Sequence, residues 1–357
     1  MSIEVFEGLF AKTRKQCDVL LKEYATSHYL SDYPQQDFIV QENRRALLLP
    51  GKRIRPTLGY IMTQCWGKPS MPLQPFLALE ILHTFLLMHD DMIDECTIRR
   101  GKDNILGKAE KHFAKSLPKG KEQHFIESIA VVGGDTAVME SLRPILDAML
   151  SDKTKVTLIN LLRKSLQETC YGWYIQFLLD YTPLAKVKQK SILDSMYWVT
   201  SRYTIALPIT FALHCAGNYS RKSVKEVDEV ANELGFIFQV GDDIIGLIGD
   251  PKKTGKSASK DIEQGKKTLP LFLAYHKATT VERQVMENLV GKKNLSDKEV
   301  GEFREILDRT KAIPLCQSKI AEAYEKLQNL LQSSILWKGK QAQFLLGMGE
   351  YLMQRES

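Results

Sequence analysis

Residues 76–95 read Phe-Leu-Ala-Leu-Glu-Ile-Leu-His-Thr-Phe-Leu-Leu-Met-His-Asp-Asp-Met-Ile-Asp-Glu. No proline or glycine interrupts this stretch, and Leu, Met and Glu are plentiful, so it predicts a helix. Its apolar part, 81–88, is interrupted by His83 and runs straight into His89, Asp90 and Asp91. That falls well short of the ~20 apolar residues of a membrane span. Outward from it, helix-favouring runs fill 125–150, 155–180, 187–215, 224–248, 269–290 and 316–353, with Pro208 expected to kink or end one of them. Ile3, Phe6, Phe10, Leu20 and Leu21 set among charges predict an amphipathic helix over 1–30. Pro50-Gly51 breaks the chain, and Pro69, Pro72 and Pro75 mark an irregular connector. Alternating strand patterns bounded by Asn-Gly or Asp-Gly are absent. The expected fold class is all-α. Length alone suggests about two domains at ~150 residues each. With no linker, low-complexity segment or repeat, one helical domain over 1–357 is the preferred reading.

Composition excludes several classes. Apolar residues at 44% and charged residues at 26% are globular values, not those of a disordered or collagen-like chain. The net charge of +6 is modest, and the basic runs alternate with acids without aromatic interleaving, which argues against a nucleic-acid module. Cys17, Cys65, Cys96, Cys170, Cys215 and Cys316 form no C-x-x-C pair, so neither a zinc site nor a disulfide framework is expected. This suits a reducing compartment. The first residues carry acids where an export signal is basic, and a soluble, cytoplasmic protein is expected.

Two aspartate clusters carry the chemistry. In the first, Asp90 and Asp94 (i, i+4) share a helix face and Asp91 and Asp94 are neighbours. Carboxylates stacked in this way repel unless a cation sits among them. The second runs Gln239-Val-Gly-Asp242-Asp243, with Asp250 further along nearly the same stripe. An exposed acidic face is the ordinary reading of a charge run. Here the apolar lead-ins Leu86-Leu87-Met88 and Phe236-Ile237-Phe238 point instead to buried helices whose carboxylates open into a cavity. Hard oxygen ligands suit Mg²⁺, which takes one or two carboxylates plus substrate phosphate oxygens. Cations follow each cluster: between Arg99 and Lys121 eight Lys or Arg face only Asp103 and Glu110, and between Lys252 and Lys267 six Lys face Asp261 and Glu263. Paired arginines suit phosphate oxygens. No G-x-x-x-x-G-K-[ST] loop is present, so the inferred substrate is a diphosphate or polyphosphate with an apolar remainder, held by cations and metal.

Together, Pro-Gly-Lys52-Arg-Ile-Arg55-Pro, His83, His-Asp90-Asp91-Met-Ile-Asp94-Glu, Arg99-Arg100-Gly, Gly134-Asp135, Phe238-Gln239-x-x-Asp242-Asp243 and Thr-Gly-Lys256 followed by Asp261-Ile-x-x-Gly-Lys266-x-Thr-Leu resemble the trans-isoprenyl diphosphate synthases, in that family's order from about 50 to 270. The resemblance implies an all-α isoprenoid-synthase bundle with a central pocket, usually a homodimer. It implies that Asp90, Asp91, Asp94, Asp242 and Asp243 hold Mg²⁺ on an allylic diphosphate contacted by Arg99, Lys256 and Lys266. Lys52, Arg55, His83 and Arg100 would hold isopentenyl diphosphate, and Gln239 would stand near the reacting carbons. Ionising an allylic C–O bond needs Lewis acids and fixed cations in a dry site. The bound diphosphate can take the final proton, which agrees with the lack of a Ser-His-Asp or Cys-His constellation.

The pattern is broken in three places. Thr200 stands where the family commonly has Lys, and Arg202 would point about 200° away on an ideal helix. Weaker allylic binding or an altered substrate is the expectation. Gly246 replaces the last Asp of the second motif. The Lys-rich stretch 108–121 reads as a solvated loop, with a basic lid or weak membrane-surface contact as the alternative. Phe85 and Leu86, five and four residues before Asp90, resemble the floor that stops growth at twenty carbons, so geranylgeranyl diphosphate is the expected product and farnesyl diphosphate the next. A terpene cyclase and a non-catalytic partner subunit are the rival readings. Retention of Lys52, Arg55, His83 and Arg100 speaks against the cyclase, and the intact first motif against the subunit.

Overall fold

The computed structural model describes residues 3–28, 33–249 and 260–355. They are almost entirely helical, as expected. The chain divides into two compact units, one of residues 8–162 and 211–217, the other of 1–7, 163–210 and 218–357.

The first unit contains most of α1 (Ile3–His28), then α2 (Asp37–Leu48), α3 (Ile54–Cys65), α4 (Leu77–Ile93), α5 (Ile105–Phe113), α6 (Glu122–Glu140), the single turn α7 (Arg143–Leu146) and the start of α8 (Asp152–Asp180). Helix α4 is its axis and packs along α6. Leu77 and Ile81 meet Cys17, Leu21 and Leu47 at one end. Met88 meets Ile105, Leu106, Ala109 and Ala130 at the other. The hairpin between α4 and α5 was not foreseen. Ile98–Arg99 pairs antiparallel with Lys102–Asp103 around Arg100-Gly101, both at positive φ (53° and 71°). That is the two-residue turn whose twist suits a tight hairpin, made here with Arg in place of the usual Asn or Asp.

In the second unit α8 runs on to Asp180 and is followed by α9 (Gln189–Met196). The next stretch, Tyr197–Ala206, winds as a π-helix before α10 (Leu207–Ala216) begins. The expected disturbance at Pro208 therefore takes the form of a widened helix just upstream, where the proline ring would crowd the preceding turn. Helix α11 (Arg221–Ile248) starts at a reciprocal Ser220–Ser223 cap and packs along both the π segment and the later helix Ala312–Ser333. The turn α12 (Lys260–Glu263) packs on α11 and leads to α13 (Leu269–Lys277). Leu247, Ile262, Leu271, Ala274, Phe303 and Leu307 share one core there.

Candidate active site

Each unit carries one aspartate cluster. In the first, Asp90 and Asp91 occupy the last turn of α4 and Asp94 is its C-cap, its N–H donating to the Asp90 carbonyl (2.8 Å). The i, i+4 relation thus survives to the helix end. Asp91 is buried, which pushes its carboxyl above the usual range, against the pull of Arg99. From the hairpin, Arg99 donates through Nε to Asp91 Oδ1 (2.7 Å) and through Nη2 to Asp90 Oδ2 (2.9 Å). A single positive centre spanning two carboxylates satisfies the repulsion that the spacing implies.

Arg100, next on the turn, donates to the Leu49 and Pro50 carbonyls. A Cβ on Gly51 would lie 3.0 Å from Arg100 Nη1, so the glycine makes room for this guanidinium. Burial, and then the neighbouring arginines, lower the Arg100 pKa. His83 is held well below its ordinary range by burial first and then by Arg55, Arg100, Arg99 and Arg53. Its surroundings therefore favour the uncharged ring. Arg53, between Lys52 and Arg55 in the sequence, is spent on Asp18 (2.9 Å), Glu80 (2.8 Å) and the Leu49 carbonyl (2.8 Å), all inside the unit. A small cavity bordered by Thr84, Met88, Asp91, Arg99, Arg100 and Asn104 brings one motif aspartate and the two hairpin arginines to a common space.

Phe85 and Leu86 are buried on α4 below the acids. The Phe85 ring meets His89 edge-on at 4.6 Å, and His89 Nε2 sits 3.2 Å from the Val131 carbonyl. A Cβ on Gly134 would stand 2.3 Å from that nitrogen, which gives the Gly134-Asp135 signature a packing reason. In the Lys-rich stretch, Lys111 pairs with Asp103 (2.7 Å), and Phe113 turns inward against Phe38 and Phe125.

In the second unit Asp243 is buried on α11 and accepts from Gln239 Nε2 (2.9 Å). Burial, helped by the charges of Asp261 and Asp242 and opposed by the Gln239 hydrogen bond and Lys266, raises its carboxyl to about 7. Thr200 Oγ1 donates to Gln239 Oε1 (2.5 Å). Arg202 is committed elsewhere, to Glu168 (2.9 Å) and Asp228, so it does not stand in for the missing Lys. Asp250 and Lys256 lie outside the described residues. Lys266, whose N–H donates to the Asp261 carbonyl (3.2 Å), lies near enough for its charge to act on Asp243.

Two features of this cluster were not anticipated. Arg355, 113 residues away in sequence, forms an ion pair with Asp242 and stacks 4.7 Å over the Phe238 ring. At Gly246 a Cβ would lie 1.8 Å from Asp261 Oδ2, so the Asp261 carboxylate fills the space that a third motif side chain would enter. The glycine was a legible signal for the second feature; nothing in the sequence pointed to the first.

Among the described residues no group of three or more His, Cys, Asp or Glu stands ready to hold a metal alone. The donor set still fits Mg²⁺, since the acids offer only oxygen ligands and occur in pairs. This ion fills its remaining positions with water and substrate phosphate.

The chain belongs to the polyprenyl synthetase family. That family's model matches residues 38–307. Members are prenyltransferases, and so is this chain. It is 26% identical over 284 residues to a short chain isoprenyl diphosphate synthase of Methanocaldococcus jannaschii, covering 76% of this chain and 77% of the relative. It is 25% identical over 307 residues to the geranylgeranyl diphosphate synthase of Sulfolobus acidocaldarius, covering 85% of each. A geranylgeranyl pyrophosphate synthase from Corynebacterium glutamicum, solved with isoprenyl diphosphate and magnesium, shares the fold of this prenyltransferase at a TM-score of 0.85. Identity is 24%, with 95% of this chain and 99% of that one covered.

Proposed function

We propose that this prenyltransferase is a short-chain synthase joining isopentenyl diphosphate to an allylic diphosphate, head to tail, with Mg²⁺ as cofactor and all-trans geranylgeranyl diphosphate as product. Farnesyl diphosphate is the next candidate. The observation that carries the reading is Arg99 bridging Asp90 and Asp91 one residue from Arg100 on a tight turn, an acid pair beside paired arginines that supports metal and diphosphate binding here. The names of the relatives support the short-chain class, and the buried Phe85 and Leu86 below the acids support a short product.

In this reading Asp90, Asp91, Asp94, Asp242 and Asp243 hold Mg²⁺, which when bound supplies Lewis-acid charge at the leaving diphosphate. Arg99, Lys256 and Lys266 bind the allylic diphosphate and balance the negative charge that grows as the C–O bond breaks. Lys52, Arg55 and Arg100 hold isopentenyl diphosphate, with neutral His83 as a hydrogen-bonding partner. Gln239 presents its carboxamide near the reacting carbons. The isopentenyl double bond attacks the allylic cation, and the proton lost passes to the departed diphosphate, so no side-chain base is required. Apolar walls such as Phe85 keep water from quenching the cation.

The same reading makes 1–357 one catalytic domain acting as a homodimer in the cytoplasm. An exposed stripe of Tyr171, Tyr174 and Leu178 on α8, continued by Tyr181, offers an apolar face for a second copy. The six free cysteines suit a reducing compartment, and no helix among the described residues is long and apolar enough to cross a membrane.

The test is incubation of pure protein with Mg²⁺, isopentenyl diphosphate and each allylic diphosphate of five, ten and fifteen carbons, followed by dephosphorylation and mass analysis. Linear alcohols of twenty carbons are expected. Cyclic hydrocarbon formed without isopentenyl diphosphate would establish a cyclase, and no turnover with any primer would favour a partner subunit.

A further inference from the structure

The surface beside the first aspartate cluster is both basic and apolar. Helix α5 turns Ile105, Leu106 and Ala109 inward, and at its end Phe113 meets Phe38 and Phe125. Its other face, with the turn that follows, exposes Lys111, Lys115, Lys119 and Lys121 and half-exposes Lys108. Lys102 is exposed on the adjoining hairpin strand. Residues 102–121 set these six lysines against Asp103 and Glu110, a net of +4. Ile98, 59% exposed, stands opposite Asp103 in the hairpin, and Asp103 holds the Lys111 ammonium at 2.7 Å. Ile93, 40% exposed, lies in the last turn of α4 between Asp91 and Asp94. The basic helix thus continues across Asp103 to an exposed isoleucine. The next residue is Arg99, which bridges Asp90 and Asp91.

We propose that this face, made of Ile93, Ile98, Lys102 and the lysines of 108–121, docks on the surface of an anionic lipid bilayer. The inference rests on the functional reading above, which makes the product a long hydrocarbon chain carrying a diphosphate. Charge complementarity identifies the occupant. Ammonium groups strung along a helix and a turn suit a plane of many headgroups, whereas one phosphate calls for donors that converge. The two isoleucines add apolar area that a polyanion in solution leaves wet and a bilayer interface covers. A basic patch with two apolar side chains gives a peripheral, reversible attachment. Docking sets the Arg99 hairpin at the headgroup layer, where the product's chain passes into lipid as its diphosphate is released.

The experiment measures co-sedimentation of the full chain with vesicles of phosphatidylcholine alone and of phosphatidylcholine mixed with phosphatidylglycerol. It compares the unaltered protein, the triple variant Lys115→Gln, Lys119→Gln, Lys121→Gln, and Ile98→Ser, with thermal melting to check that both variants fold. The unaltered protein should bind the mixed vesicles, not the neutral ones, and lose affinity as salt rises. The triple variant should bind about 100-fold more weakly, at roughly fivefold per lysine. Ile98→Ser should bind about fivefold more weakly, the share of a partly buried isoleucine. Mixed vesicles should raise steady-state turnover of the unaltered protein and leave that of the triple variant unchanged. Equal binding by the triple variant and the unaltered protein would overturn the proposal, as would equal binding to neutral vesicles. Duplex DNA held as tightly as the mixed vesicles, and indifferent to Ile98→Ser, would also overturn it in favour of a general polyanion surface. Vesicle binding of the expected kind without turnover of any allylic primer would support the docking face and defeat the functional reading alone.

Discussion

Restoring the missing acid of the second motif, Gly246→Asp, should harm the metal-free protein. A Cβ at 246 would stand 1.8 Å from Asp261 Oδ2 and 2.9 Å from its Cγ, well inside contact distance. Asp261 has limited freedom to retreat. Its carbonyl accepts Lys266 N–H (3.2 Å), and the next residue, Ile262, is buried, with its carbonyl taking Gly265 N–H (3.0 Å) and Gly291 N–H (2.8 Å). The side chain must rotate, and overpacking of this kind costs about 1–3 kcal/mol. The new carboxylate also enters beside Asp242, Asp243 and Asp261. Two like charges at about 4 Å repel by roughly 4 kcal/mol at an effective dielectric of 20, part of which is relieved by protonation or by a bound cation. Urea unfolding without divalent ions should therefore show Gly246→Asp less stable than the unaltered protein by at least the ~1–3 kcal/mol steric cost. Gly246→Ala should show the steric part alone, and 5–10 mM Mg²⁺ (about that range, chosen to saturate a weak carboxylate site) should recover most of the aspartate excess. A Gly246→Asp protein as stable as the original without metal would refute the view that Asp261 already occupies this space.

Three further outcomes are expected. Phe85→Ala opens the floor beside His89 and should shift the product distribution to longer alcohols in the mass assay; an unchanged distribution would remove Phe85 from the floor. Arg355→Ala removes the counter-ion of Asp242, so thermal melting should show lower stability without metal and a larger gain on adding Mg²⁺ than in the unaltered protein. His83, held neutral in the folded chain but able to protonate near pH ~6.5 when unfolded, contributes stability that is present above that pH and lost as pH falls below it. Urea midpoints measured at about pH 7.5 and 5.5, either side of that ordinary value, should fall less in His83→Gln than in the unaltered protein.

The all-α class was readable because helix formation is local. The uninterrupted 76–95 stretch, with its aspartates at i, i+1 and i+4, carries both the helix and the face the acids share. The motif series identified the family for the same reason, since each piece is a short segment whose spacing survives in one dimension. The Arg100-Gly101 hairpin escaped a reading tuned to Asn-Gly and Asp-Gly, although Gly101 at positive φ is the usual local mark of such a turn.

Long-range contacts were not readable. Whether Arg53 or Arg100 is tied up inside the fold depends on partners as distant as Asp18, Glu80 and Leu49. The neutrality of His83 depends on how deeply it is buried among those arginines. That Arg355 meets Asp242, that Asp261 fills the place beside Gly246, and that Thr200 reaches Asp243 through Gln239 are facts of packing. Residue type and spacing establish which groups can ionise, ligate or donate. Which of them face one another, and in what state of charge, is decided only when distant segments are packed together and water is removed from between them.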